Sequence, residues 1–499
     1  MAARFWVGGA GTWDGSSTTH WSASSGGASG ASAPTTSDDA TFDSASGLGT
    51  GVTVTIAATA TCNNLTITGP AGVLQVFSLS GNFTMVGALT CNGNSGAKRI
   101  LFQSDTPGTA RTFAIGSLSS LTNTDFMDIT ASGGTPWTGT LIGDCGGNTN
   151  ITFTTPSTVT FIGAANANWS WSDATKWDVR VPLPQDDVVI STAFSGSRTI
   201  TWDVNRLGKS ITFAGSSIGT SLGISLSNNV MILGSLTMLT GMTMSVGSTI
   251  TFAGRSTYTI TSAGVAMTSI TVQAVGGTYT QQDAFAHNAV TRAFSITDGT
   301  WVMNDFTMSL GTFSLAGSTR TRGISISATI SLTGTGTVWN ANAAGATVSY
   351  ASERNIIDIT DTSSTSKTFA GGGYTYPTLR HIATGTAGLA INQSNTFAYL
   401  TLACSSARTI TLGTNRTTTV TKFFYAVGTG ATMSFTGSTS TLALTDSFVG
   451  AIGTELGEFS ASTGGFFRSG TSFDANVVIS YIDVVDVKDI TVWGLTAWH

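Results

Sequence analysis

The stretch Val52-Thr-Val-Thr-Ile-Ala-Ala-Thr-Ala-Thr-Cys-Asn-Asn-Leu-Thr-Ile-Thr-Gly69 decides the fold. Its two runs, Val52–Ile56 and Leu65–Thr68, alternate an apolar residue with threonine, and the second closes on glycine. Successive side chains of a strand point to opposite faces, so each run buries Val, Ile or Leu and leaves hydroxyls outside. The same alternation returns in Thr249-Ile-Thr-Phe252, Thr257-Tyr-Thr-Ile-Thr261 and Ile270-Thr-Val272. Runs this short, bounded by Gly, Asn or Ser, predict half-buried strands. No stretch carries a 3.6-residue apolar stripe with capping signals, so very little helix is expected.

Composition extends this reading to the whole chain. Of 499 residues, 41% are hydrophobic, enough for a continuous core, while only 9% are charged, against roughly 25% in ordinary globular proteins. Sixty glycines and a dense Ser/Thr/Ala background take the place of the missing charge. The net charge of −5 and the scatter of 21 basic residues oppose nucleic-acid binding, which needs clustered Lys and Arg. Between Lys209 and Arg255 no residue is charged, yet polar residues interrupt every apolar run, so no membrane helix is expected. The N-terminal residues lack the apolar core of a signal peptide, and the expected origin is cytoplasmic synthesis. Cys62, Cys91, Cys145 and Cys404 fit neither a zinc site nor a disulfide framework. Buried free thiols are expected, with a Cys62–Cys91 bridge as the alternative, and neither metal nor cofactor.

The chain also repeats on a larger scale. Trp13-Asp-Gly-Ser-Ser-Thr-Thr-His-Trp21, Pro34 and Asp38-Asp39 are followed later by Trp169-Ser-Trp-Ser-Asp-Ala-Thr-Lys-Trp177, Pro184 and Asp186-Asp187. The matched tryptophans stand eight apart in both copies. A weaker similarity joins Thr124-Asp-Phe-Met-Asp-Ile-Thr130, Asn355-Ile-Ile-Asp-Ile-Thr360 and Ser480-Tyr-Ile-Asp-Val-Val-Asp486. These marks divide the chain into a first Trp module (1–158), a second (159–350) and a C-terminal β region (351–499). Strands so short and numerous suit a β-solenoid, an elongated repeat array that tolerates loops of unequal length. Trp13, Trp21, Trp169 and Trp177, with Trp6 and Trp171 beside them, are read as caps over open coil ends, with their indole N–H groups turned to solvent. Asp38, Asp39, Asp186 and Asp187 are read as turn-forming caps of the backbone.

Trp6-Val-Gly-Gly-Ala-Gly-Thr-Trp13, His20-Trp21-Ser22, Pro34 and Asp38-Asp39 resemble a recurring module of large tailed-phage structural proteins. Asp128–Trp137, Gly143–Asn148 and Ile151–Phe153 resemble a companion piece of the same proteins. Similar modules begin the solenoid passenger regions of bacterial autotransporters. The resemblance covers roughly the first 200 residues. It implies a virion surface protein, a tail fibre or tail spike, working as a homotrimer beside other virion proteins and touching a host-surface glycan or protein.

Residue patterns for catalysis are scarce. Neighbouring aspartates on a strand point apart, and no nucleophile elbow, HExxH or P-loop pattern occurs. No catalytic residue is assigned, and a non-enzymatic role in host attachment is expected. The alternatives are a capsid-decoration or head-fibre protein and a polysaccharide-degrading spike, which needs two carboxylates about 5–10 Å apart. Trp301, Trp339, Tyr374 and Tyr376 are the candidate surfaces for sugar rings, with Phe466 and Phe467 beside them. Asp483, Asp486 and Asp489 form an acidic C-terminal trio, read as a charged strand edge.

Overall fold

A computed structural model describes residues 2–69, 74–215, 222–317, 320–382, 386–404, 408–427, 432–436, 441–450, 458–461, 466–469 and 479–480. The chain is all-β. Its strands form β-solenoid coils, about 16 turns in all, and Ala174–Lys176 is a single 3-10 turn. They belong to two compact units, Met1–Arg255 and Ser256–His499.

Parallel pairing of each strand with the strand one coil later builds the coils. In the first Trp module, Leu65 lies beside Leu89 and Ala40 beside Leu65, while Thr41, Thr66 and Thr90 line up in register on the other side of the same ladder. The inward column is closed to solvent and the threonines are half-buried. The alternation seen at Val52–Gly69 is therefore the cross-section of a coil wall. A second wall holds Val52–Ile56, Leu74–Leu79, Arg99–Ser104 and the end of Ser117–Met127. A third holds Phe83–Thr84, Arg111–Ala114 and Ile129–Ser132. Aromatic rings fill the core between them: Phe42, Phe77, Phe102 and Phe126 follow one another at 5.0, 5.2 and 5.8 Å.

Both Trp motifs, Trp13–Trp21 and Trp169–Trp177, lie in the first unit, whose end at Arg255 falls inside the predicted second module (159–350). The cause is lateral packing. Val76, Leu101, Met127 and Cys145, on the outside of the first module's second wall, are buried against Leu233 and Ala253 of the second module. A wall covered on both sides needs apolar residues at both parities, and threonine gives way to Val, Leu and Met there.

In the second unit, rings again run along the core. Phe313 stacks on Trp339 at 4.3 Å, Trp339 on Phe369 at 5.7 Å, and Phe369 meets Phe397 at 5.5 Å. Ser269–Gln281 with Phe285–Ala286 and Ala293–Val302 with Met308–Leu310 are two-strand coils, and the next two coils, which end at Ile330–Leu332 and Ile356–Ile359, carry three strands each. Beyond them the described coils carry two, as in Lys367–Ala370 with Thr375–His381 and Leu389–Asn392 with Thr396–Cys404.

Candidate functional site

Built from the cap upward, the two Trp motifs show one architecture. Ala3–Trp6 runs parallel to Asp39–Phe42 and antiparallel to Trp21–Ser22, with Trp6 opposite Trp21. In the second module Phe161 stands opposite Trp177 in the same antiparallel sense. Asp38 Oδ1 accepts from Ala2 N at 3.0 Å and Oδ2 from Thr35 N at 3.2 Å. Asp186 repeats this with Ser157 N and Leu183 N, each at 2.8 Å, and adds Arg180, whose Nη2 lies 2.6 Å from Oδ1. Asp39 Oδ1 accepts from the side-chain amides of Asn63 and Asn64 at 2.9 and 2.8 Å. Asp187, opening the strand Asp187–Ile190, stands beside Thr158 as Asp39 stands beside Ala3. Hydrogen bonding to Thr35 first, then to Ala2, holds the Asp38 carboxyl below the usual carboxylate range.

The tryptophan register differs from the one the spacing predicts. Trp13 lies beside Ile56, the last residue of Val52–Ile56. In the second module Trp169 pairs with Ile200, so the residue that reaches the matching end of Arg198–Trp202 is Trp171. Trp171 is fully buried between Trp177 and Trp202, at 4.8 and 5.9 Å. Trp169 is half-buried beneath Lys176 Nζ, 4.4 Å from its ring. Spacing alone cannot separate two indoles two residues apart, because both have the same strand parity. The indole N–H groups of the predicted caps differ: that of Trp169 donates to Ala164 O at 2.9 Å in an exposed position, whereas those of Trp13 and Trp177 turn inward. Trp6 Nε1 donates to Gly9 O at 2.7 Å and Trp177 Nε1 to Trp171 O at 2.9 Å, while those of Trp13 and Trp171 are buried.

The candidate sugar surfaces lie inside. Trp301, Trp339 and Tyr376 have no exposed surface. Trp301 Nε1 donates to Gln281 Oε1, Trp339 Nε1 to Tyr376 Oη at 3.2 Å, and Tyr376 Oη to Gly371 O at 2.6 Å. These three are core, because they occupy inward strand positions and offer no face to a ring. Tyr374, half-buried, donates to Ala343 O at 3.1 Å. The side chains of Phe466 and Phe467, the trio Asp483, Asp486 and Asp489, and Cys404 lie outside the described residues. Cys62, Cys91 and Cys145 are buried free thiols, so the Cys62–Cys91 bridge is not formed.

What sequence reasoning missed is a charged clasp between the modules. Asp125, with no exposed surface, accepts from Arg99 Nε at 2.8 Å on one oxygen and from Arg206 Nε at 2.5 Å on the other. Burial works against its charge, but the Arg99 and Arg206 guanidiniums together outweigh it and hold the carboxyl below its usual range. Arg255 grips Asp128 through two hydrogen bonds, Nη1 to Oδ1 at 2.7 Å and Nη2 to Oδ2 at 2.6 Å. Gln185 Nε2 donates to the carbonyls of Ile142 and Thr154, while its Oε1 accepts from Asp144 N at 2.9 Å. Gly143 and Gly147 leave the room: a Cβ at either would run into Asp125 or into Asp128 and Arg255. The weak motif similarity also dissolves, since Asp128 turns a corner at φ 58° whereas Asp358 sits within the strand Ile356–Ile359 and binds Arg380. The signal for the clasp was present in the uninterrupted apolar runs Val76-Phe77 and Ile100-Leu-Phe102, which mark walls covered on both sides.

Chemically, this arrangement can fasten one module to the other through charge pairs and side-chain amide bonds. The described carboxylates with buried partners are spent on guanidiniums, ammoniums and backbone N–H groups, as at Asp298 with Arg320 and Asp361 with Lys367. Among the described residues no group of three or more His, Cys, Asp or Glu side chains is placed to hold a metal ion. Compared with family models, with curated proteins and with solved structures, the chain matches none.

Proposed function

We propose that the protein is a non-enzymatic structural component of a tailed-phage virion, a tail fibre or spike that takes part in host attachment. The observation that carries this reading is the way each described coil is spent on rigidity. In the first Trp module inward positions form a ring-filled core, and one wall carries threonine outward in register at Thr41, Thr66 and Thr90. Stacked parallel coils resist bending, and a hydroxyl surface stays soluble without charges that salt would screen. The resemblance of the Trp motifs to phage structural modules supplies the setting. In it, several copies place weak glycan- or protein-binding surfaces together, and effective concentration multiplies their avidity.

Light scattering combined with small-angle X-ray scattering tests the reading. A rod of three chains is the expected result. A compact monomer would sink the trimeric shaft and transfer the role to a decoration module on the capsid. Release of reducing ends from host polysaccharide, abolished by exchanging one pair of aspartates, would instead establish a depolymerase.

A further inference from the structure

We propose that the clasp between the Trp modules is exchangeable: the first module of one copy docks on the second module of another, joining chains through contacts each chain also makes within itself. Three observations lead there. The first module has its own core, drawn only from residues between Trp6 and Phe153. The clasp is a separate and small apolar cluster, Val76, Leu101, Met127 and Cys145 against Leu233 and Ala253. Its charges are complementary across the boundary, Asp125 and Asp128 on one side facing Arg206 and Arg255 on the other. Both sides of the clasp lie in one compact unit, and the buried charge pairs that join them specify the fit more than they drive it, so a second copy can supply the same contact.

The connection between the bodies points the same way. Thr154 still belongs to the first module, its N donating to Ile142 O at 3.2 Å, and Ser157 N already donates to Asp186 of the second. Only Thr155 and Pro156 span the gap, and both are exposed. Proline restricts the residue before it to extended backbone, so the connector resists folding back and is compatible with an opened chain. Short, stiff connectors of this kind invite exchange of an element between copies.

Mass action sets when exchange occurs. A short connector gives the internal contact an effective concentration on the order of millimolar. Chains at micromolar concentration therefore stay closed, about a thousandfold in favour of the internal contact. Copies held side by side in an assembly reach comparable local concentrations, and the contact between chains then competes.

The test uses two full-length variants that each spoil one side of the clasp and leave the module cores alone. Leu101→Arg sets a cation beside Arg99 and Arg206, and Leu233→Glu sets an anion on the other side of the same cluster. Alone, each has no intact pair to form, within a chain or between chains. Mixed at about 100 μM, a tenth of the effective concentration above, they should associate with each other, with the weight-average mass rising towards twice that of either variant measured alone. Unchanged tryptophan near-UV circular dichroism shows that the cores survive, and faster hydrogen exchange of the Asp144 amide, whose bond to Gln185 crosses the clasp, shows that the internal clasp has opened. A mixture whose mass stays at that of its components, with the clasp open, overturns the proposal. So does an Asp144 amide that exchanges no faster than in the parent chain, because this surface would then not hold the clasp.

Discussion

Asp125 and Arg206 are 81 residues apart in the chain and meet at 2.5 Å with both side chains almost wholly buried. A charge pair in such a place is costly to desolvate and stabilises mainly by its fit. Arg99 completes that fit by occupying the second carboxylate oxygen. The pair therefore specifies where the modules meet more than it drives them together.

Replacing Asp125 by Asn should cost about 3 kcal/mol at neutral pH, because two guanidiniums lose their shared anion while remaining buried. The pH dependence has a definite sign. The folded carboxyl titrates below its unfolded value of about 3.9, so its stabilisation is complete above that pH and is lost as pH falls through the folded value. The gap between parent and Asp125→Asn in urea midpoint should hold from pH 7 to 5 and narrow below about 4. A gap independent of pH would show that Asp125 is not ionised in the folded chain.

Acid should trouble the second unit sooner. His381 is buried and His287 half-buried, and loss of surrounding water, reinforced by Arg408 and Arg292 respectively, pushes both down to about 4. An unfolded histidine titrates near 6.5, so the unfolded chain holds the extra proton between those values. Stability contributed by each neutral imidazole is full above about 6.5 and drains away as pH falls towards 4, at up to about 1.4 kcal/mol per pH unit. Hydrogen exchange between pH 7 and 4.5 should show the coils around these histidines opening before those around Asp125. His287→Gln should flatten the slope locally, and an unchanged slope would assign the acid response elsewhere.

Much of this architecture is legible in a single sequence because period two is local. Val52–Ile56 and Leu65–Thr68 declare their buried face without reference to any distant residue, and the stacked threonines follow once strands repeat in register. The Asp38/Asp186 turns are equally local, since each carboxylate binds backbone three residues upstream. The clasp is not local. Whether Leu101 faces solvent or Leu233 depends on how a wall 130 residues later is placed. Trp301, Trp339 and Tyr376 mislead for a related reason: an aromatic in a polar, threonine-rich neighbourhood reads as a surface feature, and only the inward parity of its strand places it in the core.

The two aspartate caps should differ in weight although their hydrogen bonds match. Asp186 is wholly buried and binds Arg180 as well as Ser157 N and Leu183 N. Asp186→Ala strands these donors and should cost about 3 kcal/mol, whereas the more exposed Asp38→Ala should cost about 1 kcal/mol or less. Equal shifts in thermal midpoint would mean that water replaces both carboxylates alike.

The register of the second cap makes the last prediction, and it opposes the spacing of the sequence. If Trp169 and Trp177 were the counterparts of Trp13 and Trp21, truncating Trp169 would open the coil end. In the structure that end is closed by Trp171, fully buried against Trp177 and Trp202, while Trp169 is half-buried with one face against Lys176. Trp171→Ala should therefore cost about 3–5 kcal/mol by leaving an indole-sized cavity. Trp169→Ala forfeits a partly solvated cation–π contact and some burial, and should cost about 1 kcal/mol. Urea unfolding of the two variants followed by tryptophan fluorescence separates the readings. The larger loss at Trp169 would restore the eight-residue match, and with it a different path for the chain between Phe161 and Trp177.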